Sequence, residues 1–123
     1  MRINFSHGDA QWGYIGFTLF RSVLADHEGF DLMQMEGFGP LRSGVPHPCV
    51  PWDTVTTPLR PLLDHSDVEG HLTPEECRQV ASRLREIIPV IWPDSAARDR
   101  VRGMCLVYGM EEAADAGELF KFM

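Results

Sequence analysis

The residues best suited to chemistry lie in one polar segment, residues 64–76, which carries two histidines and several carboxylates. Four consecutive polar side chains open this segment, and an indole precedes them by a short stretch of chain. Carboxylate, imidazole, hydroxyl and indole groups are what proteins commonly use to orient a polar ligand. The predicted ligand-binding residues are Trp52, Asp64, His65, Ser66 and Asp67.

The same segment resembles an EF-hand calcium loop when it is aligned on Gly70. An EF-hand has oxygen ligands at loop positions one, three and five, glycine at six, and glutamate at twelve. Asp67 and Glu69 take positions three and five, and the apolar Leu72 takes position eight. Position one is His65, whose imidazole is a poor ligand for a hard cation. The resemblance implies a calcium site with the ligands His65, Asp67, Glu69 and Glu76.

Two other interpretations of this segment stay open. A zinc ion could use His65, Asp67 and His71, joined by His47 and Cys49, because nitrogen and sulfur donors suit borderline ions. The spacing, however, has neither the C-x-x-C nor the H-E-x-x-H pattern that makes a zinc prediction specific. The simplest interpretation is a tight turn that leads into a capped helix and holds no ion.

Enzymatic chemistry is the weaker interpretation of the sequence. His65 and Asp67 beside Ser66 supply the groups of a hydrolytic triad, but adjacency in sequence is not triad geometry. The sequence contains no nucleophile elbow, phosphate loop or dinucleotide fingerprint. Cys77 and Cys105 fall on apolar helix faces, which is typical of core residues rather than nucleophiles.

Length, charge and hydropathy restrict the class of protein. A chain of 123 residues, of which 44% are hydrophobic, is expected to form one globular domain over residues 1–123. Its net charge of −7 repels a phosphate backbone, which argues against nucleic-acid binding. We find no signal peptide or membrane-spanning run, and the three cysteines are widely spaced. A cytoplasmic protein that does not contact membranes is therefore expected.

Apolar periodicity predicts a mainly α (α+β) fold with about four helices. The first helix should run from about residue 10 to residue 26, with Asp9 as its N-cap. Gly13 and Gly16 weaken this helix, so we interpret them as positions of close packing. Its expected buried residues are Trp12, Ile15, Leu19, Phe20 and Val23.

A Gly- and Pro-rich loop at about residues 37–52 separates the first helix from the second. A short helical turn at residues 31–36 precedes this loop, and its apolar residues Leu32, Met33 and Met35 need burial. The Thr57-Pro58 pair predicts the start of a short second helix that ends near Asp64. Its expected apolar face is Leu59, Leu62 and Leu63.

Two longer helices follow. Thr73 and Glu76 predict a capping box for a helix that ends at Pro89. The buried residues expected for it are Leu72, Cys77, Val80, Ala81, Leu84 and Ile88. The fourth helix is predicted from Asp94 or Ser95 to Ala116, with Gly117 ending it. The buried residues expected there are Ala97, Val101, Met104, Cys105 and Tyr108.

Both ends of the chain have the period-two pattern of short strands. Ile3 and Phe5 alternate with polar residues near the start, and Phe120 and Phe122 flank Lys121 near the end. Two short terminal strands that could pair with each other are therefore predicted.

Four stretches of the chain together resemble a group of small proteins from actinobacteria and their phages. They are residues 12–17 (WGYIGF), 35–39 (MEGFG), 62–67 (LLDHSD) and 72–77 (LTPEEC). In that group the third and fourth stretches are joined by a sequence like CDG, so Val68 here replaces a cysteine and Glu69 an aspartate. The resemblance implies a biological context and no particular chemistry.

The leading functional hypothesis is a small non-enzymatic binding module that blocks or sequesters a host protein, or binds a small polar ligand. The basis is an analogy with small acidic phage-type proteins that lack catalytic motifs. A metal-binding module that uses residues 65–76 to hold calcium or zinc is the alternative. The sequence leaves open whether the chain forms a homo-oligomer.

Overall fold

The computed structural model describes residues 2–35, 50–64 and 70–122. Within these ranges the helices are α1 (Tyr14–His27), α2 (Arg60–Leu63), α3 (Pro74–Ile91) and α4 (Arg98–Ala116). The strands are β1 (Arg2–Ile3), β2 (Trp12–Gly13), β3 (Gly70–Leu72) and β4 (Phe120–Phe122). The prediction of a mainly α fold with short strands near both ends of the chain is confirmed. No helix in the described part of the chain is long and apolar enough to cross a bilayer.

The strands form two small antiparallel pairs, β1 with β2 and β3 with β4. Each predicted terminal strand therefore has its own main partner. The two ends still meet at an antiparallel bridge between Phe5 and Phe122. The Ser6 N–H also donates to the carbonyl oxygen of Lys121 at 2.9 Å. The predicted approach of the chain ends thus occurs immediately after β1.

Helix α1 differs from the prediction in its start and in its inner face. It begins at Tyr14 instead of near residue 10, because residues 12 and 13 pair with β1. Gly13, rather than Asp9, occupies the N-cap position. Three predicted core residues are exposed, with relative exposures of 80%, 62% and 39% for Ile15, Leu19 and Val23. Trp12 and Phe20 are buried as predicted. The other buried residues of α1 are Phe17, Arg21, Leu24 and Ala25.

The inner face of α1 is set by aromatic packing. Aromatic side chains bury more apolar area than aliphatic ones, so the face that carries two phenylalanines turns inward. The Phe17 and Phe20 ring centroids lie 5.2 and 4.8 Å from that of Trp12. Phe20 also stacks on Trp92 at 5.3 Å. Arg21 is completely buried on the same face, with its guanidinium carbon 4.6 Å from the Phe17 ring centroid.

The segments around α2 agree with the prediction in most details. The Thr57 hydroxyl accepts a hydrogen bond from the Leu59 N–H at 3.1 Å, but the predicted start at Thr57-Pro58 is wrong: α2 begins at Arg60, with Leu59 in the N-cap position. Leu59 at the N-cap and Leu62 and Leu63 within α2 are completely buried, as predicted. The predicted turn after α1 is a 3-10 turn, Leu32–Gln34, capped by the Asp31 carboxylate. Leu32 and Met35 are buried there, whereas Met33 is 41% exposed and does not belong to the core.

Helix α3 confirms its predicted start and buried face. Thr73 and Glu76 form the capping box, and the predicted apolar residues from Leu72 to Ile88 are buried. The predicted end is wrong by two residues, because α3 continues past Pro89 to Ile91. The last turn closes around the proline through a 2.9 Å hydrogen bond from the Trp92 N–H to the Ile88 carbonyl.

Helix α4 begins later than predicted and buries a different face. The Asp94 carboxylate accepts from the Ala96 N–H at 2.9 Å in a turn before the helix, which starts at Arg98. Val101 and Tyr108, predicted to be buried, are 50% and 55% exposed. Gly117 has a left-handed φ of 69° and ends α4 as predicted. The residues of α4 that are buried are Gly103, Leu106, Val107, Gly109, Met110, Ala113 and Ala114.

Candidate functional site

Most of the predicted site lies outside the described residues. His65, Ser66, Asp67, Val68 and Glu69 belong to the gap at residues 65–69, and His47 and Cys49 belong to the gap at 36–49. Their roles as ligands therefore stay predictions. The described members of the predicted site are Trp52, Asp64, His71, Leu72 and Glu76.

Trp52 and Asp64 both make contacts within the protein. Trp52 is only 7% exposed and packs edge-to-face against Phe30, with ring centroids 5.8 Å apart. The Asp64 carboxylate lies 3.6 Å from Nε of Arg60, one helical turn earlier. Arg60 also lies 3.9 Å from Asp53. Trp52 thus offers little surface to a ligand, and Asp64 already has a cationic neighbour.

The second half of the EF-hand-like loop is occupied by strand β3 and the start of α3. Leu72, at loop position eight, is completely buried. Oε1 of Glu76, at position twelve, accepts from the Thr73 N–H at 2.9 Å, and the Glu76 N–H donates to the Thr73 hydroxyl at 3.2 Å. The glutamate therefore uses one carboxylate oxygen in the capping box. No group of three or more potential metal ligands is assembled among residues 2–35, 50–64 and 70–122.

The two cysteines of the described chain differ in environment. Cys77 is completely buried on α3, and burial raises the pKa of its thiol to about 11. A protonated, buried thiol is a poor nucleophile, which agrees with the predicted core role. Cys105 is half-buried on α4 and lines an open groove.

This groove, of about 610 Å³, runs between residues 9–13 and helix α4. Asp9 and Arg102 give it polar walls of opposite charge, and Trp12 and Val101 give it apolar surface. Its size is within the range of small-molecule sites. The groove therefore could admit a small polar ligand away from the predicted loop.

The sequence did not predict a network of polar side chains where the two chain ends meet. Ser6 Oγ lies 2.7 Å from Nδ1 of His7, and Nε2 of His7 lies 3.0 Å from Oε1 of Glu118. The Lys121 N–H also donates to Ser6 Oγ at 2.9 Å. A serine, a histidine and a glutamate are thus connected in one hydrogen-bonded line.

Sequence reasoning missed this network because Glu118 is 111 residues from His7. The available signals were the Ser6-His7 pair directly after the first strand and a glutamate just before the last strand. These signals predict the network only when the two ends of the chain are placed next to each other.

A second unpredicted feature is the exposed aliphatic row on α1, formed by Ile15, Leu19 and Val23. Residues four apart in a helix lie above one another on the same face. The helix therefore presents an apolar row to solvent in addition to its buried aromatic face. We refer to these three residues as the aliphatic row.

Comparison of the chain with protein-family models, curated proteins and solved structures produced no match.

Proposed function

We propose that the chain is a small cytoplasmic binding module that engages a host protein through the aliphatic row on α1. The observation that carries the proposal is the exposure of Ile15, Leu19 and Val23 at 80%, 62% and 39%. A surface helix normally keeps its apolar side chains on one face toward the core. A second apolar row on the outside is typical of a surface that another protein covers.

The charge of the chain suggests the chemistry of the partner. The net charge is −7, and the exposed Asp26 follows the aliphatic row in the last turn of α1. An apolar groove with a basic rim would complement both features, since charge complementarity selects partners and accelerates association. The resemblance to actinobacterial and phage proteins supports a host protein as the source of that groove.

A photo-crosslinking amino acid at position 19 tests the proposal in cells of an actinobacterial host. The same amino acid at position 90 is the matched control, because Val90 is an exposed aliphatic residue of α3, at 67%, outside the aliphatic row. We expect a protein that crosslinks from position 19 and not from position 90. The purified partner should then bind the isolated chain, as measured by titration calorimetry.

Polar variants of the aliphatic row give the quantitative result. Each buried aliphatic side chain contributes about 1.5–3 kcal/mol to an interface, so Ile15→Ser with Leu19→Ser should weaken binding by about a hundredfold or more. Val90→Ser should leave the affinity unchanged. Equal affinity for the double variant and the parent would overturn the proposal. So would self-association of the chain that the double variant abolishes, because the occupant would then be a second copy.

Metal binding by residues 65–76 is the second candidate. It is supported by the buried Leu72 at loop position eight and by Glu76 at position twelve, which starts α3 as an EF-hand glutamate does. A native-state ligand raises thermal stability. The melting temperature should rise with calcium or zinc, fall back with chelator, and no longer respond in Asp67→Asn. An unchanged melting temperature at millimolar calcium and micromolar zinc would exclude this candidate.

A further inference from the structure

The Ser6, His7 and Glu118 network has the order of groups found in nucleophilic hydrolases. A nucleophile is activated when its hydroxyl bonds to a base that is itself oriented by a third group. Here the hydroxyl-to-imidazole distance is 2.7 Å and the imidazole-to-carboxylate distance is 3.0 Å. Both lie within the reach expected for proton transfer.

The hydrogen bonds define the direction of the relay. A carboxylate only accepts, so Nε2 of His7 must carry a proton toward Glu118. In the neutral ring Nδ1 is then an acceptor, and the Ser6 hydroxyl donates to it. The Lys121 N–H donates to the same hydroxyl oxygen and fixes its position. His7 is therefore placed to take the Ser6 proton.

The fold holds the imidazole in place. The His7 side chain is 14% exposed, and its ring stacks on Phe120 with centroids 6.3 Å apart. Gly8 has a left-handed φ of 78°, and its backbone packs directly on Gly109 of α4. A Cβ at Gly109 would overlap the carbonyl oxygen of His7. The close approach of these two glycines therefore fixes the backbone that carries the base.

An open groove of about 350 Å³ adjoins the relay and is lined by Ser6, His7, Glu118, Leu119 and Lys121. This volume suits a small acyl group, and Leu119 supplies apolar surface. The backbone of Lys121 contacts Ser6 at the edge of this groove.

We propose that Ser6 is an acyl-accepting nucleophile for small carboxylic esters, with His7 as general base and Glu118 as its positioning residue. This chemistry goes beyond the proposed binding function and is independent of the aliphatic row. It would add an enzymatic activity to a chain whose sequence favours a binder.

The reaction proceeds in two steps, acylation of Ser6 and hydrolysis of acyl-Ser6. Ser6 Oγ forms a bond to the ester carbonyl carbon while its proton moves to Nδ1 of His7. The bond to the leaving alkoxide then breaks as His7 returns that proton, which gives an alcohol and acyl-Ser6. Water attacks the acyl carbon and gives its proton to Nδ1 of His7. The bond between this carbon and Ser6 Oγ then breaks as His7 returns the proton to Oγ, which releases the carboxylic acid and restores the Ser6 hydroxyl.

Labelling with a fluorophosphonate probe tests the proposal on the full chain. We expect one covalent adduct, mapped to Ser6 by peptide mass spectrometry. Ser6→Ala should abolish labelling, and His7→Ala should slow it by about a hundredfold or more, the usual contribution of a general base. Ser22→Ala and His27→Ala, which alter the same residue types on α1, away from the network, should label at the parent rate.

Glu118 supplies the test that separates chemistry from structure. Its side chain is 61% exposed, so Glu118→Gln should keep the parent melting temperature. Labelling should nevertheless slow by about tenfold, and Glu118→Asp should restore part of the rate. Absence of a Ser6 adduct in the folded parent chain would overturn the proposal. Labelling of Ser6 that is unaffected by both His7→Ala and Glu118→Gln would overturn it as well.

Discussion

Arg83 of α3 holds the carboxylate of Glu28 with two parallel hydrogen bonds, Nε to Oε1 at 2.8 Å and Nη2 to Oε2 at 2.9 Å. Thr57 adds a third bond to Oε1 at 3.1 Å. Glu28 is the C-cap residue directly after α1, and its side chain is 8% exposed. The carboxylate therefore connects α1, α3 and the segment before α2 at one point. Bidentate, charge-assisted bonds of this kind are stronger than neutral ones.

Acid should weaken this connection. The Arg83 hydrogen bonds lower the pKa of Glu28 below its usual 4.5, although burial opposes the shift. A lowered folded-state pKa means that the stabilisation is complete above the unfolded pKa and is lost as the pH falls through the folded value. Glu28→Gln should lower the free energy of unfolding by about 2 kcal/mol at pH 7. This difference in the free energy of unfolding should become smaller below about pH 4, as measured by urea unfolding.

Glu86→Gln is the control for this variant. Glu86 also faces Arg83, but at 3.7 Å and with 64% of its side chain exposed. An exposed pair contributes about 0–1 kcal/mol, so this change should be small at every pH. A Glu28→Gln deficit that is equal at pH 7 and pH 3 would contradict the assigned role of the carboxylate.

Replacement by alanine should change stability in opposite directions at Gly109 of α4 and at Gly16 of α1. Gly109→Ala places a Cβ against the His7 carbonyl and should destabilise the chain by about 1–3 kcal/mol. In Gly16→Ala the new Cβ meets only Cδ1 of Trp12 at an ordinary 3.6 Å. Because Gly16 is inside a helix, alanine there should stabilise by about 0.5–1 kcal/mol. Thermal melts of both variants measure the two signs, and a destabilising Gly16→Ala would show that close packing does require glycine there.

How far the sequence predicts each helix depends on how its apolar residues are distributed. In α3 the apolar residues lie on one face of the helix and the charged residues lie on the others. Only one face can therefore be buried, and the prediction of that face from Cys77 to Ile88 is confirmed. Helix α1 has apolar residues on two faces, and the predicted core mixed the buried Phe20 with the exposed Ile15, Leu19 and Val23. Only tertiary contact with Trp12 favours the aromatic face, and periodicity carries no information about that contact.

The candidate sites also differ in how far the sequence predicts them. Local chemistry between Thr73 and Glu76 was predictable, because a capping box needs only a three-residue spacing. The contact between His7 and Glu118 was not predictable, because it depends on the antiparallel β-bridge between Phe5 and Phe122. A polar network across the chain ends becomes visible only once that long-range register is known.

Thiol labelling should separate the cysteines of the chain. In a Cys49→Ser background, Cys105 should react first with an aromatic disulfide reagent, because it is half-buried beside an open groove. Cys77 should stay unreactive until the chain unfolds, since its thiol is buried and its pKa is raised to about 11. The expected stoichiometry is one thiol in buffer and two in denaturant. Two fast-reacting thiols in the native chain would contradict the burial of Cys77.

Glu76 offers a variant that separates a helix cap from a calcium ligand. Thr73→Ala removes the hydroxyl that accepts from the Glu76 N–H and should lower the free energy of unfolding by about 1 kcal/mol. Glu76→Gln should have a smaller effect, because an amide oxygen can still accept the Thr73 N–H.

The amide cannot replace the bidentate carboxylate that calcium needs at loop position twelve. If Glu76 only caps α3, calcium will change the melting temperature of neither the parent chain nor Glu76→Gln. If Glu76 also binds an ion, only the parent chain will gain stability when calcium is added, and chelator will reverse that gain.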